Sequence, residues 1–379
     1  MDTVDRTQDS NPLKPSILMV GPFPPPLGGA AKISQAVFEA LEAEHVTVER
    51  IVTSSSTLSH QRSVRYHMQR SRGTIRGLAT LLVRARHTKT VYIVPDAGLG
   101  VWYTLAYGLV AAIAYRRVFF HHHSCRYIEQ ETAAMRLITR LTRSKATHIL
   151  LTDDMARKFQ KRYGPVHARV VGNAQFTAIP ANDLERAPGR LRLGHLSNLC
   201  AAKGFFRVVE AFERFRSAGI DTELHLAGPV LEPAVQAEID TLRTTYGSAV
   251  VDHGPLQGEA KAAFYASLDL FLFPTNFDQE AAPNVVYEAA AGGAPTLSVA
   301  RACIPEMVGT LGGAVCDRGD DFGAFALQWF ILEGANLSVL HRRSVKDRFV
   351  LENARAAQQF ADLVVDMASP NRSARSPSP

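Results

Sequence analysis

The chain has 379 residues, is 46% hydrophobic and carries a net charge of +6 at neutral pH. A single core usually stops growing well before this length, so two domains are expected. Four cysteines, Cys125, Cys200, Cys303 and Cys316, stand far apart without CxxC spacing, which suggests neither a disulfide framework nor a zinc ribbon and fits a reducing compartment.

Residues 1–14 carry acids and no apolar stretch of the kind a secretory signal needs, and are expected to form a flexible cytoplasmic tail. Ser16 to Gly21 is a short apolar run closed by a Pro/Gly loop, and Ala30 to Ala43 has helical periodicity. A strand is expected over Val46 to Thr53, then a basic helical region, then strands over Thr90 to Pro95, Arg117 to His123, His148 to Thr152 and Ala168 to Val171. Gly98 to Tyr115 runs without a charge and is long enough for a membrane span. Strands bracket it on both sides, so it is read as a buried crossover helix instead.

Charge is unevenly distributed. Residues 1–188 hold 25 Lys and Arg against 14 Asp and Glu, whereas residues 189–379 hold 17 against 22. Between Arg62 and Lys89 there are eight basic residues and no acid. The first half is thus expected to face something anionic, although a solvated helical face also fits. No aromatic-interleaved recognition motif accompanies the charge, and nucleic acid is not expected as a partner.

A polar linker is expected over Ile179 to Gly189. A second series of strands follows at Leu191 to Leu196, Glu223 to Ala227, Ala249 to Val251, Leu268 to Phe273 and Pro295 to Val299, with helices over Phe205 to Ser217 and Gln257 to Ser267. After Asp320 the chain reads as helical to about Met367. The fold class is therefore α/β, with two Rossmann-like domains of parallel sheet, residues 15–183 and 189–345. Residues 346–368 are expected as a helix packing back toward the first domain, and residues 369–379 as disordered.

In open parallel sheets ligands bind beyond the carboxyl ends of the strands, so two facing domains create a cleft lined by both sets of loops. Four segments lie there. Gly28 and Gly29 precede a helix, where backbone can approach an anion closely; neither a Walker loop nor GxGxxG is present. His121, His122 and His123 end a strand, and successive side chains point to opposite faces, so all three cannot share one metal. Asn198 to Gly204 places Lys203 at a helix start, which suits a diphosphate. Pro274 to Pro295 carries Glu280 before, and Glu288 within, a short helix entered at Ala282, Pro283 and Asn284. A carboxylate accepts two hydrogen bonds from a vicinal diol such as a ribose or hexose presents, while a hydrolytic carboxylate pair also fits.

From Ser16 to about Asp366 the chain resembles the retaining family 4 glycosyltransferases of the GT-B fold. Glu280 and Glu288 meet the E-x7-E spacing, Lys203 stands where the family has its pyrophosphate-binding lysine, Gly28 and Gly29 match the glycine loop, and the histidine run matches the family's cleft histidine. Val170 to Asn173 (VVGN), Ile304 to Glu306 (IPE) and Gly319-Asp320 follow in family order. The resemblance implies that Glu288 binds the nucleotide ribose, Glu280 the donor hexose and Lys203 the diphosphate, with His122 or His123 holding sugar or phosphate. Asn198, Ala282, Pro283 and Asn284 complete the implied donor site. It also implies transfer with retained anomeric configuration, a nucleotide-diphosphate sugar as donor, no essential metal or cofactor, and an acceptor on the first domain.

The sequence departs from the pattern at Asn198, where the family has a basic residue, and at Ala281 and Ala282, where glycines are common. With a basic first domain, a lipid-linked or saccharide acceptor at an anionic membrane surface is expected, as in capsule, exopolysaccharide or lipopolysaccharide assembly, with the protein cytoplasmic and peripheral on the inner face of the membrane. An epimerase or phosphorylase of the same shape, or a catalytically silent binding protein, also accounts for these residues.

Overall fold

The computed structural model describes residues 16–25, 28–53, 64–180, 189–334 and 339–369. The expected tails, most of the linker over 179–189, and Arg62 of the basic stretch lie outside the described residues.

In chain order the first half contains β1 (Ser16–Gly21), α1 (Gly29–Ala43), β2 (Thr47–Val52), α2 (Val64–Arg84), β3 (Thr90–Ile93), α3 (Val101–Ala114), β4 (Arg117–His121), α4 (Arg126–Glu129), α5 (Ala133–Thr142), β5 (Ala146–Leu150), α6 (Asp153–Tyr163) and β6 (His167–Val170). The second half contains β7 (Leu191–Leu196), α7 (Phe205–Ser217), β8 (Thr222–Ala227), α8 (Pro233–Tyr246), β9 (Val250–Asp252), α9 (Gly258–Ser267), β10 (Leu270–Phe273) and α10 (Asn284–Ala291). It continues through β11 (Thr296–Val299), α11 (Ile304–Leu311), β12 (Gly313–Cys316), α12 (Phe322–Glu333) and α13 (Val339–Ala368). Each half forms one six-stranded parallel sheet, ordered β2-β1-β3-β4-β5-β6 and β12-β11-β10-β7-β8-β9.

Both sheets bury both faces. In the first, Ile17, Met19, Tyr92 and Phe119 pack under α1 and the end of α13, while Leu18, Val20, Val91 and Phe120 pack under α2, α3, α5 and α6. In the second, Leu193, Leu224 and Leu272 meet α7, α8 and α12, and Phe271 and Phe273 meet α9, α10, α11 and the start of α13. Continuous apolar strands of this kind are what a doubly covered parallel sheet requires.

Two sequence expectations change. The strand β12 was not anticipated: GAVC is four residues long at a sheet edge, too short for a periodic signal. The segment 98–115 does cross over between β3 and β4, but it is not buried all round, since Leu99, Trp102 and Ile113 are exposed. Among the described residues no helix is long and apolar enough to cross a membrane.

The carboxyl ends of the two sheets meet. Asn173, after β6, donates from Nδ2 to the Ala282 carbonyl, after β10, at 3.2 Å. The thiols of Cys125, after β4, and Cys303, after β11, lie 3.8 Å apart. The two share one S–H···S hydrogen bond in a buried setting, which holds Cys125 well above the usual thiol range. Glu306 accepts the Asp154 amide at 2.8 Å, capping the start of α6 from the other domain. Arg318 pairs with Glu129 at 3.0 Å and Arg355 with Asp153 at 2.8 Å. A concavity lined by Thr152, Asp153, Tyr287, Glu306, Glu352 and Arg355 lies at this junction on the α13 side. Burial pushes the Glu352 carboxyl up there, against the opposing charge of Arg355.

Candidate functional site in the interdomain cleft

The loop after β7 and the loop after β10 are built to fit one another. Gly204 takes φ +86°, and a Cβ there would run into the Pro274 carbonyl oxygen, so only glycine lets the Lys203 turn lie against the second loop. The Asn276 amide donates to the Ala202 carbonyl at 2.9 Å, closing the contact. Below them His195 is fully buried; its Nδ1 lies 2.8 Å from the Leu272 carbonyl, so Nδ1 donates and Nε2 accepts from Ser197 Oγ at 2.9 Å. Burial holds this imidazole down at about 4, so it is neutral.

Lys203 and Glu280 are brought together. Nζ lies 2.6 Å from Glu280 Oε2, which also accepts from Thr275 Oγ1 at 3.3 Å. The ammonium sits 4.4 Å from the Phe277 ring centroid and 5.9 Å from that of Phe273. A lysine between a carboxylate and aromatic faces is fixed in place rather than swinging in water. Asn198 is exposed on the loop before Lys203.

Glu288 turns away from this pair toward α9. Lys261 Nζ approaches its Oε2 at 2.6 Å and Oε1 at 2.7 Å, and Tyr265 Oη donates to Oε2 at 3.0 Å. Lys261 and Tyr265 were missed by sequence reasoning. Their signal is an i,i+4 pair on one face of α9. Between the two glutamates, Pro283 is the residue before α10, whose first amides have no side-chain cap. Asn284 Oδ1 and Asn173 Oδ1 are buried without a hydrogen-bond partner in the protein, which leaves acceptors near this helix start for a hydroxyl or amide donor.

From the first domain, Gly28 is the residue before α1, exposed, with open space where a Cβ would stand, and Gly29 begins the helix. The histidine run divides by strand alternation. His122 is a core residue and does not line the cleft: Nδ1 lies 2.8 Å from Tyr127 Oη and Nε2 2.9 Å from His148 Nδ1, and its ring packs on Phe159. The expectation that His122 holds sugar or phosphate is thereby corrected. His121 and His123 share the opposite face with ring centroids 4.1 Å apart, and His121 Nδ1 lies 2.6 Å from Tyr92 Oη. The Nε2 atoms of His121 and His123 have no hydrogen-bond partner in the protein. Burial holds His123 down at about 4, so it offers a neutral imidazole. Among the described residues no group of three or more His, Cys, Asp or Glu is arranged to hold a metal ion.

Two parallel six-stranded sheets, each covered by helices and meeting at their carboxyl ends, define the GT-B fold of glycosyltransferases. Residues 190–329, the core of the second domain, match the family model of glycosyl transferases group 1. Among solved structures the chain is similar to a sucrose-phosphate synthase from Thermosynechococcus elongatus, at 14% identity and a TM-score of 0.67, covering 93% of this chain and 99% of that one. It is also similar to Anabaena Alr3699/HepE, solved in complex with UDP-glucose, at 15% identity and a TM-score of 0.61, covering 93% and 99%. A third similar structure is WaaG, a glycosyltransferase involved in lipopolysaccharide biosynthesis, at 15% identity and a TM-score of 0.59, covering 94% and 100%. No curated protein sequence matches the chain.

Proposed function

We propose that this protein is a retaining hexosyltransferase of family 4 that moves a sugar from a nucleotide-diphosphate donor to a hydroxyl acceptor in cell-surface polysaccharide or glycolipid synthesis. The observation that carries the reading is the pair Lys203 and Glu280, held 2.6 Å apart at the carboxyl end of the second sheet, within the segment that matches the glycosyltransferase model. A donor diphosphate brings negative charge to this point. It displaces Glu280 from Lys203, and the freed carboxylate then orients the hexose hydroxyls.

The charge that develops on the leaving nucleotide is met by Lys203 and by the uncapped start of α10. Glu288, oriented by Lys261 and Tyr265, accepts from the ribose hydroxyls. His123 lies on the first-domain side, and its neutral Nε2 accepts a hydrogen bond from a sugar hydroxyl. Retention follows when the acceptor hydroxyl attacks from the face the leaving group vacates, through an oxocarbenium-like state. The UDP-glucose complex of the Anabaena neighbour supports a nucleotide sugar as donor. The basic first domain supports an acceptor presented at the anionic cytoplasmic face of a membrane.

Thermal melting across a panel of nucleotide sugars tests the donor, because a ligand at a hundred times its Kd stabilises the fold by about 2.7 kcal/mol. The expected result is one stabilising donor whose labelled sugar appears in a glycoside of unchanged anomeric configuration. An epimer or a sugar phosphate as product would replace this reading with its epimerase or phosphorylase alternative, and binding without turnover would leave a silent binding protein.

A further inference from the structure

The outer face of the first domain is not used by the cleft. The step β2 to β3 passes over β1, and the steps β3 to β4 and β4 to β5 each advance one strand further in the same direction, so right-handed crossovers put α2, α3 and α5 side by side on one face. α3 lies in the middle and contains no charged residue. Its inner side is buried through Val101, Leu105 and Gly108, but Trp102, Ala106, Leu109 and Ile113 repeat at helical spacing on the outside. Ile113 is 84% exposed, Trp102 55%, and Leu99, in the turn leading into the helix, 74%.

The neighbouring helices extend this ridge. α2 exposes Met68, Ile75, Leu82 and Val83, and α5 exposes Leu137 and Leu141. Arg72 and Arg76 of α2, Arg140 of α5 and Arg143 just after it are exposed around the apolar strip. None of the three helices contains an aspartate or a glutamate. Apolar surface of this extent on a soluble face marks an interaction site.

We propose that the α2–α3–α5 face docks on an anionic lipid surface, with Leu99, Trp102, Leu109 and Ile113 inserted at the acyl boundary and the flanking arginines on headgroup phosphates. This names the place and manner of the membrane contact in the proposed function; it needs neither the donor nor the transfer step. Charge selects the occupant. A second copy packed face to face would set one arginine rim against another, whereas a bilayer supplies phosphates to the rim and hydrocarbon to the ridge. α3 begins at the carboxyl end of β3, so Leu99 and Trp102 lie on the cleft edge of this face. A bilayer there brings a lipid-anchored acceptor to the cleft by lateral diffusion.

The test uses the full chain carrying Trp329→Phe, which leaves Trp102 as its single tryptophan. It is mixed with vesicles of phosphatidylglycerol and brominated phosphatidylcholine. The expected result is co-sedimentation that weakens with salt, together with a blue shift and bromine quenching of Trp102 emission. The double variant Trp102→Ser/Ile113→Ser should partition at least about tenfold more weakly, while its turnover with a water-soluble acceptor stays unchanged. Absence of co-sedimentation by the unsubstituted chain overturns the proposal. So does co-sedimentation without quenching, which would leave only surface adsorption by the basic helix. A dimer in vesicle-free solution with Trp102 already shielded would assign the face to a second copy instead. Loss of docking with turnover intact leaves the transfer reading standing; docking without turnover leaves this inference standing.

Discussion

Lys203 has one charge and two claimants. In the ligand-free protein it belongs to Glu280, at 2.6 Å and with both side chains largely shielded from water. In the proposed donor complex the diphosphate carries more charge and takes it over, so the two single substitutions have different signatures. Lys203→Ala removes a cation that acts mainly as charge develops on the leaving group, and turnover should fall by about 10²- to 10³-fold. Glu280→Gln releases Lys203 from its competitor, so the free nucleotide diphosphate should bind more tightly while kcat falls, because the sugar loses its orienting carboxylate. Glu288→Ala removes the proposed ribose contact and should raise the donor KM. Steady-state kinetics and calorimetric titration with the nucleotide separate the three. Near-wild-type kinetics in Lys203→Ala and Glu288→Ala together would sink the assignment.

At the scale of the element, β4 and β5 carry a buried stack of imidazoles. His122 and His148 are bonded to each other on one side of β4, with Phe120 and Phe159 against their rings, and His121 and His123 lie on the other. Desolvation lowers all four, His148 to about 3 and His123 to about 4, and both His121 and His122 well below the ordinary value. The unfolded chain therefore binds protons at these groups below about pH 6.5, while the folded chain does not. Their contribution to stability is complete above that pH and declines as the pH falls toward 4, by about 1.4 kcal/mol per pH unit for each imidazole. Urea unfolding between pH 7 and 5 should show this slope. His148→Gln should make it shallower by one such increment, and an unchanged slope would mean the imidazole is solvated. The sequence showed that three consecutive histidines must alternate between faces. It did not show which face a helix covers, because Tyr127 and Phe159 reach His122 from elements with no pattern linking them to the strand. The same blind spot made α3 look buried: an uncharged helix gives no sign of which apolar side lacks a cover.

The whole molecule shows where legibility ends. Parallel strands, their loops and the E-x7-E spacing follow from local patterns, and they place Lys203, Glu280 and the start of α10 at the carboxyl end of one sheet. How the halves dock is carried by single contacts far apart in sequence, such as Cys125 with Cys303 and Asn173 with Ala282, and no periodicity announces them. α13 shows the consequence most directly. At its start, Arg342 donates to the carbonyls of Ala266, Leu268 and Gly292 in the second domain. Toward its end, Leu363, Val364 and Met367 pack under the first sheet, and Asp366 accepts from Arg117 and Arg169 at 2.8 Å each. One helix thus ties both domains together, and its last turns hold the first by a carboxylate shared between two arginines, all three side chains partly shielded. Removing one member of a shielded pair leaves the others desolvated and unpaired, which costs more than the pair contributes. Asp366→Asn should therefore lower stability by about 2–3 kcal/mol. Because the loss falls on the anchorage of α13 to the first domain, hydrogen exchange should quicken in the last turns of α13 and in β4 and β6, and stay unchanged in β7 to β12. Uniform quickening through both sheets would mean that the domains unfold as one unit and that α13 is not their separable tie.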